Sequence, residues 1–258
     1  MDENTHSRGL RVEVKYLRKS FRGKAVLDGL NLTCEAGKTT VILGRSGGGK
    51  SVTIKHMIGL LKPDSGEVWV GGEEISRYKD RDLDEVRKNF GLLFQDAALL
   101  DSLNVYENIA FPLKLHTRKD KSEIEGIVQE KVRLVGLSLD TLTKFPSELS
   151  GGMRKRVGLA RAIALQPKIV LYDEPTSGLD PIMTDVINSL ILDVHREVGS
   201  TQVVISHDLS SAFKVGDKIA MLHDGRIIEE GPPEEFQKSR DPVVRQFLEG
   251  RKEGPVKV

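Results

Sequence analysis

Residues able to handle phosphate and water gather in a few short stretches of this sequence. Gly44-Arg45-Ser46-Gly47-Gly48-Gly49-Lys50-Ser51 has the G-x-x-x-x-G-K-[ST] spacing that cradles a polyphosphate. Its glycines let backbone N–H groups turn inward around the anion. A helix beginning near Gly49 points the positive end of its dipole at the same place. Lys50 has the reach for the β- and γ-phosphates of a nucleotide, and the Ser51 hydroxyl can complete the shell of a Mg²⁺ ion. A glycine-rich turn that merely contains a lysine is the plain alternative. The flanks argue against it: the β-branched run Thr40-Val41-Ile42-Leu43 precedes the loop, and Ser51 to Leu61 follows at helical spacing.

A second stretch, Ile169-Val170-Leu171-Tyr172-Asp173-Glu174, runs four apolar residues into two acids. A carboxylate beside a core is costly unless something pairs it, so acids ending a buried strand suggest a cation for Asp173 and a water for Glu174 to act on. Val203-Val204-Ile205-Ser206-His207 is a similar run ending in a histidine, a group able to contact a γ-phosphate; a surface histidine in a hydrogen bond reads as well. Gln95 closes the run Phe90 to Phe94, where ligand-facing residues of open α/β sheets lie, although an exposed loop amide fits too. Ser150-Gly151-Gly152 offers a capped helix N-terminus with bare backbone donors, which by itself is no more than an ordinary capped helix. Asp180 can cap the helix after Thr176-Ser177-Gly178-Leu179. Phe21 could stack on a base or fill a core.

The elements that position these groups can be read from periodicity. Leu10 to Lys15 and Ala25 to Thr33 alternate as antiparallel strands about the turn Phe21-Arg22-Gly23-Lys24. A turn at Pro63-Asp64-Ser65-Gly66 leads to a strand from Glu67 to Val70. From Asp96 to about Lys144 the pattern becomes helical, in Val105 to Leu115 across Pro112 and in Glu123 to Val135. The helix from Met153 to Gln166 carries Val157, Ala160, Ile163 and Ala164 on one face. Ile219 to Leu222 and Arg226 to Glu229 form a hairpin about Asp224-Gly225, and after Pro232-Pro233 a helix from Asp241 to Gly250 precedes a polar tail expected to be loose.

Composition bounds the rest. The 258 residues suffice for a sizeable core, and 30% charged residues that balance to +1 give no electrostatic case for nucleic acid. One cysteine, Cys34, forbids an intrachain disulfide and fits a reducing compartment, as a small buried side chain. No apolar run approaches the ~18 residues of a membrane span, and Met1 to Gly9 is polar rather than a signal peptide.

Taken in order, the phosphate loop, Gln95, Leu149-Ser150-Gly151-Gly152, Asp173-Glu174, Ser177-Gly178-Leu179-Asp180 and His207 resemble the nucleotide-binding subunit of an ABC transporter, over about Leu10 to Gly231. The resemblance implies an α/β fold: a P-loop NTPase (RecA-like) core with an antiparallel β subdomain and an inserted α-helical subdomain. It places the ATPase domain at 10–240, with core 10–95 and 160–240, helical subdomain 96–159, and a C-terminal extension 241–258. It implies ATP and Mg²⁺ as cofactors. Phe21 would stack on adenine; Gly44, Arg45, Ser46, Gly47, Gly48, Gly49, Lys50, Ser51 and Val52 would hold phosphates. Ser51, Gln95 and Asp173 would serve the metal, Glu174 would be the general base and His207 the γ-phosphate switch. Asp180 would be among the nucleotide-binding residues, and Ser150, Gly151 and Gly152 would bind the γ-phosphate of the opposed copy. That last role has physical support, because charge on a γ-phosphoryl needs donors on more than one side and one loop supplies one wall. Two copies packed head to tail would close each other's sites.

Two departures stand out. Met153 replaces the glutamine that often follows the signature glycines, and Val52 the threonine that commonly follows the loop serine. The second, with Lys62-Pro63-Asp64-Ser65-Gly66-Glu67-Val68, Leu93 to Leu99, Asn104 to Asn108, Phe111-Pro112-Leu113 and Asp241 to Leu248, is similar to the ATPases of the MCE/Mla lipid-transport branch. That likeness implies phospholipid transport and an MlaE-like permease docked in a groove near Gln95–Phe111, as a helix laid in a groove. It further implies a peripheral position on the cytoplasmic face of the inner membrane, with a STAS-type regulator and an MCE-domain lipid-binding protein as further partners by analogy. Two other readings stay open: the ATPase of an importer for a polar solute such as an amino acid, and a soluble ABC ATPase of DNA repair or translation. The latter lacks the expected coiled-coil insertion or tandem cassette here.

Overall fold

The computed structural model describes residues 9–256; the polar stretch Met1–Arg8, read above as lacking a signal peptide, lies outside them, as do Lys257 and Val258. Among the described residues two sheets form. The larger has the order β10(Arg226–Gly231), β9(Lys218–His223), β3(Thr39–Leu43), β8(Thr201–Ser206), β7(Ile169–Asp173), β6(Phe90–Leu93), with β10 antiparallel at its edge and the other five parallel. The smaller is antiparallel: β2(Lys24–Cys34), β1(Val12–Phe21), β4(Ser65–Val70), β5(Glu73–Glu74).

Alternation along the parallel strands divides the core in two. Val41, Leu43, Val170, Tyr172, Val204, Ile219 and Met221 face one apolar cluster, and Ile42, Ile169, Leu171, Val203, Ile205, Ala220 and Leu222 face the other. The first cluster holds the helices α3(Val105–His116), α4(Lys121–Leu134), α5(Gly151–Ala162), α6(Pro181–Val198) and α7(Leu209–Val215). The second is closed by the antiparallel sheet, α1(Lys50–Met57) and α2(Asp80–Arg87). Cys34 lies in this second cluster, its thiol pushed up to about 12 by burial. Because β3, β6, β7 and β8 run parallel, their C-terminal ends share one edge, and that edge receives Gly44, Gln95, Glu174 and His207.

The helical insertion is started by its own caps. Asn104 pairs reciprocally with Glu107 at the head of α3, and Asp120 with Glu123 at the head of α4. α5 is continuous across 159/160, so the helical portion and the core share this helix and its apolar cluster.

The C-terminal portion differs from expectation. After α8(Pro233–Phe236), α9(Pro242–Glu249) buries Val244 fully and packs Val243, Phe247 and Leu248 on the first cluster. The tail beyond it is held: Gln246 Nε2 donates to Val256 O at 3.0 Å, and Val256 N donates back to Gln246 Oε1 at 2.8 Å. A polar tail reads as loose from composition, yet one amide side chain meets both backbone groups of Val256. No helix among the described residues is long and apolar enough to cross a membrane.

Candidate functional site

The loop after β3 is shaped by two glycines. A Cβ on Gly44 would sit 2.6 Å from Leu222 O; Gly49 has φ +99°, and a Cβ there would meet Leu27 Cδ2 at 2.9 Å. Gly49 is the N-cap of α1, so the helix begins where the sequence motif requires.

Lys50 is 5% exposed. Its ammonium donates to Gly44 O at 2.8 Å and Arg45 O at 3.1 Å, and pairs with Glu174 Oε1 at 3.1 Å. Ser51 Oγ donates to Asp173 Oδ1 at 2.9 Å. Burial pushes the Asp173 carboxyl above its ordinary range and the nearby Glu174 charge adds to this, while the Ser51 hydrogen bond opposes it. Glu174 continues the ladder by donating its N–H to Ile205 O at 3.1 Å, then turns at φ +51°. Its second oxygen, Oε2, lies 2.6 Å from His207 Nδ1. A carboxylate only accepts, so Nδ1 carries the proton in this contact. Glu174 therefore engages Lys50 with one oxygen and His207 with the other.

A pocket of about 320 Å³ opens beside these groups, lined by Phe21, Val26, Ser46, Gly47, Gly49, Lys50, Ser51, Val52, Gln95 and Glu174. Phe21 is 42% exposed at this rim, which removes its reading as a core residue. Gln95 Nε2 lies 3.5 Å from Ser177 Oγ, joining the end of the β6 edge to the turn after β7.

Other predicted residues fall elsewhere. Arg45 and His207 line a larger cavity of about 690 Å³ whose apolar wall includes Leu209, Met221 and Phe247. Ser150, Gly151, Gly152 and Asp180 do not line the pocket that holds Lys50. Ser150 caps α5, its Oγ accepting from Met153 N at 3.3 Å. Asp180 caps α6 by accepting from Ile182 N and Met183 N at 2.9 and 3.0 Å. A Cβ on Gly152 would lie 2.4 Å from Met183 Cε, so the two helix starts abut.

Sequence reading missed Val26, on the pocket wall, and Lys155. The latter sits on the buried face of α5 and donates to three carbonyls of the turn after β7. Periodicity carried no signal for it, because Lys155 lies off the stripe of Val157, Ala160, Ile163 and Ala164.

Oxygen donors so placed suit a hard cation. Among the described residues no three His, Cys, Asp or Glu side chains converge on a metal site. A Mg²⁺ ion needs less, since it is commonly held by one or two protein ligands together with substrate phosphates. Ser51 and Asp173 meet that requirement beside the phosphate loop.

Comparison with known proteins agrees with this arrangement. The family described as "ABC transporter" matches residues 27–177. The probable ribonucleotide transport ATP-binding protein mkl of Mycobacterium leprae is 47% identical over 248 residues, 96% of this chain and 71% of that protein. The intermembrane phospholipid transport system ATP-binding protein MlaF of Haemophilus influenzae is 41% identical over 246 residues, 95% of this chain and 93% of that protein. A solved dimeric ATP-binding cassette, in a post-hydrolysis state bound to ADP and Pi, superposes with TM-score 0.80 at 31% identity, covering 86% of this chain and 98% of that one.

Proposed function

The chain belongs to the ABC transporter family, and from that premise we propose that it is the ATP-hydrolysing subunit of a system moving phospholipid between the membranes of a bacterial envelope. The observation that carries the ATPase reading is the Lys50–Glu174–His207 chain beside the Ser51–Asp173 pair. In this reading ATP enters with adenine on Phe21 and its phosphates over Gly44 to Val52. Lys50 exchanges its carbonyl and Glu174 partners for the β- and γ-phosphates. Glu174, released from that pair, orients a water and accepts its proton, while His207 contacts the γ-phosphate. Ser51, Asp173 and Gln95 would hold Mg²⁺, which supplies charge neutralisation at the phosphates when bound.

The position of Ser150, Gly151, Gly152 and Asp180 away from the Lys50 pocket supports their service to a second copy. The dimeric state of the solved cassette is in keeping with such a homodimer. A permease would dock in the groove of about 520 Å³ lined by Phe94, Leu100, Phe111, Pro112, Arg161 and Leu165. Three of these, Phe94, Leu100 and Phe111, are large apolar side chains exposed at 38%, 40% and 46%. An MlaE-like permease helix suits it. That docking puts the subunit on the cytoplasmic face of the inner membrane as a peripheral component, with a STAS-type regulator and an MCE-domain lipid carrier completing the system.

Phospholipid cargo rests on the match to MlaF along nearly the whole of both chains. The name of the mycobacterial relative gives a second reading, a ribonucleotide cargo. A polar solute such as an amino acid belongs to the same alternative. Purifying the native complex and identifying its subunits and bound cargo by mass spectrometry separates them: copurifying phospholipid supports the first, and a polar solute without lipid overturns it.

A further inference from the structure

Lys155 reaches from α5 into the turn that carries the general base. Only 6% exposed, it donates to Ser177 O at 2.6 Å, Pro175 O at 2.8 Å and Glu174 O at 3.4 Å. Glu174 begins this turn at φ +51°, a left-handed conformation that a residue with a side chain keeps only where its surroundings impose it. The sheet holds one side of the turn through Glu174 N and Ile205 O. Lys155 holds the other side, and it does so from the helix whose first residues are Gly151 and Gly152. Asp96 and Glu174 are the negative charges facing its ammonium, which burial destabilises and those charges support. Gln95 meets the same turn at Ser177 Oγ, so three elements of the site converge on four residues.

We propose that Lys155 is a positioning residue for hydrolysis: it fixes the turn from Glu174 to Ser177 in the shape that aims the base, and it couples that turn to the helix start at Ser150. The inference rests on the ATPase reading above, with Glu174 as base and Ser150–Gly152 serving the opposed copy. On that geometry, a nucleotide gripped by α5 of one copy alters the base of that same copy, whose own nucleotide lies in the other composite site. The two sites are thereby linked.

The test uses the full chain, with nucleotide affinity, kcat, KM and the Hill coefficient measured side by side for the parent and for Lys155→Met. Losing charged donors to three carbonyls should lower kcat about 10- to 100-fold. ATP affinity should stay within about twofold, because Lys155 is not a pocket residue, and cooperativity between sites should fall. Lys155→Arg, which keeps charge and donors, should recover part of kcat. Lys155→Gln serves where Lys155→Met does not fold, with the same split of kcat from affinity expected. A folded Lys155→Met or Lys155→Gln at parental kcat overturns the proposal. So does a loss of kcat matched by an equal loss of affinity without recovery by arginine. A parent chain that binds no ATP would instead refute the ATPase reading itself.

Discussion

Lys50 and Glu174, 124 residues apart in the sequence, meet as a buried ion pair at 3.1 Å, with exposures of 5% and 11% for their side chains. The residue proposed to read phosphate and the residue proposed to activate water thus hold each other. On the proposed roles, phosphate arrival at Lys50 would release the base and so join binding and readiness for hydrolysis in one contact.

Lys50→Ala removes the cation at the pocket floor. ATP affinity should drop about 10- to 100-fold, the value of a charge-assisted hydrogen bond expressed as a binding ratio. A calorimetric or fluorescence titration checks this, and unchanged affinity would count against the phosphate contact.

Glu174→Gln keeps the shape of the side chain and loses its basicity. Turnover should fall by roughly 10²-fold or more while ATP still binds, the scale for losing a general base. Near-parental steady-state hydrolysis by this variant would remove Glu174 from the role.

Asp173 carries a stability cost that the proposed metal-holding role would explain. Its carboxyl is raised above 3.8 by burial, so the folded state binds the proton more tightly than the unfolded state. The stabilisation is full below pH 3.8 and is lost as pH rises through the folded-state value, which leaves an unfavourable buried charge at neutral pH. Asp173→Asn should therefore raise Tm at neutral pH by about 2–4 °C, the shift that ~1 kcal/mol makes in a domain of this size. The same variant should lose Mg²⁺-dependent hydrolysis. Thermal melts and a Mg²⁺ titration of activity read the two effects.

His56, on α1 behind the phosphate loop, works with the opposite sign. Burial, and secondarily Lys19, depress its pKa below 6.5, against the Val52 carbonyl and Asp64. Below pH 6.5 the unfolded state takes a proton that the folded state resists, so Tm should fall as the pH drops below that value. His56→Gln should flatten this slope between pH 6.5 and 5.5. An identical slope in parent and variant would assign the acid sensitivity to other groups.

The position of the candidate site was legible because strand ends and loop composition mark it: β3, β7 and β8 are fully buried strands, and Gly44, Glu174 and His207 directly follow them. What escaped has physical reasons. α2 is Asp-Arg-Asp-Leu-Asp-Glu-Val-Arg, with only Leu83 and Val86 to mark a buried face, too few for a helical stripe. β1 continues past Lys15 to Phe21 through an irregular register at Tyr16, whose φ is +50°, and alternation breaks there. The clamp of Lys155 and the docking of Val256 on Gln246 join a side chain to backbone far along the chain or around a turn, and periodicity has no term for either.

Whether one triphosphate is gripped from two sides is read most directly from the crystal structure of Glu174→Gln trapped with ATP and Mg²⁺. The expected result is a head-to-tail dimer in which each γ-phosphate meets Lys50 of one protomer and the Ser150–Gly152 helix start of its partner. A trapped nucleotide contacted by a single protomer, with Ser150–Gly152 facing solvent or another ligand, would contradict it.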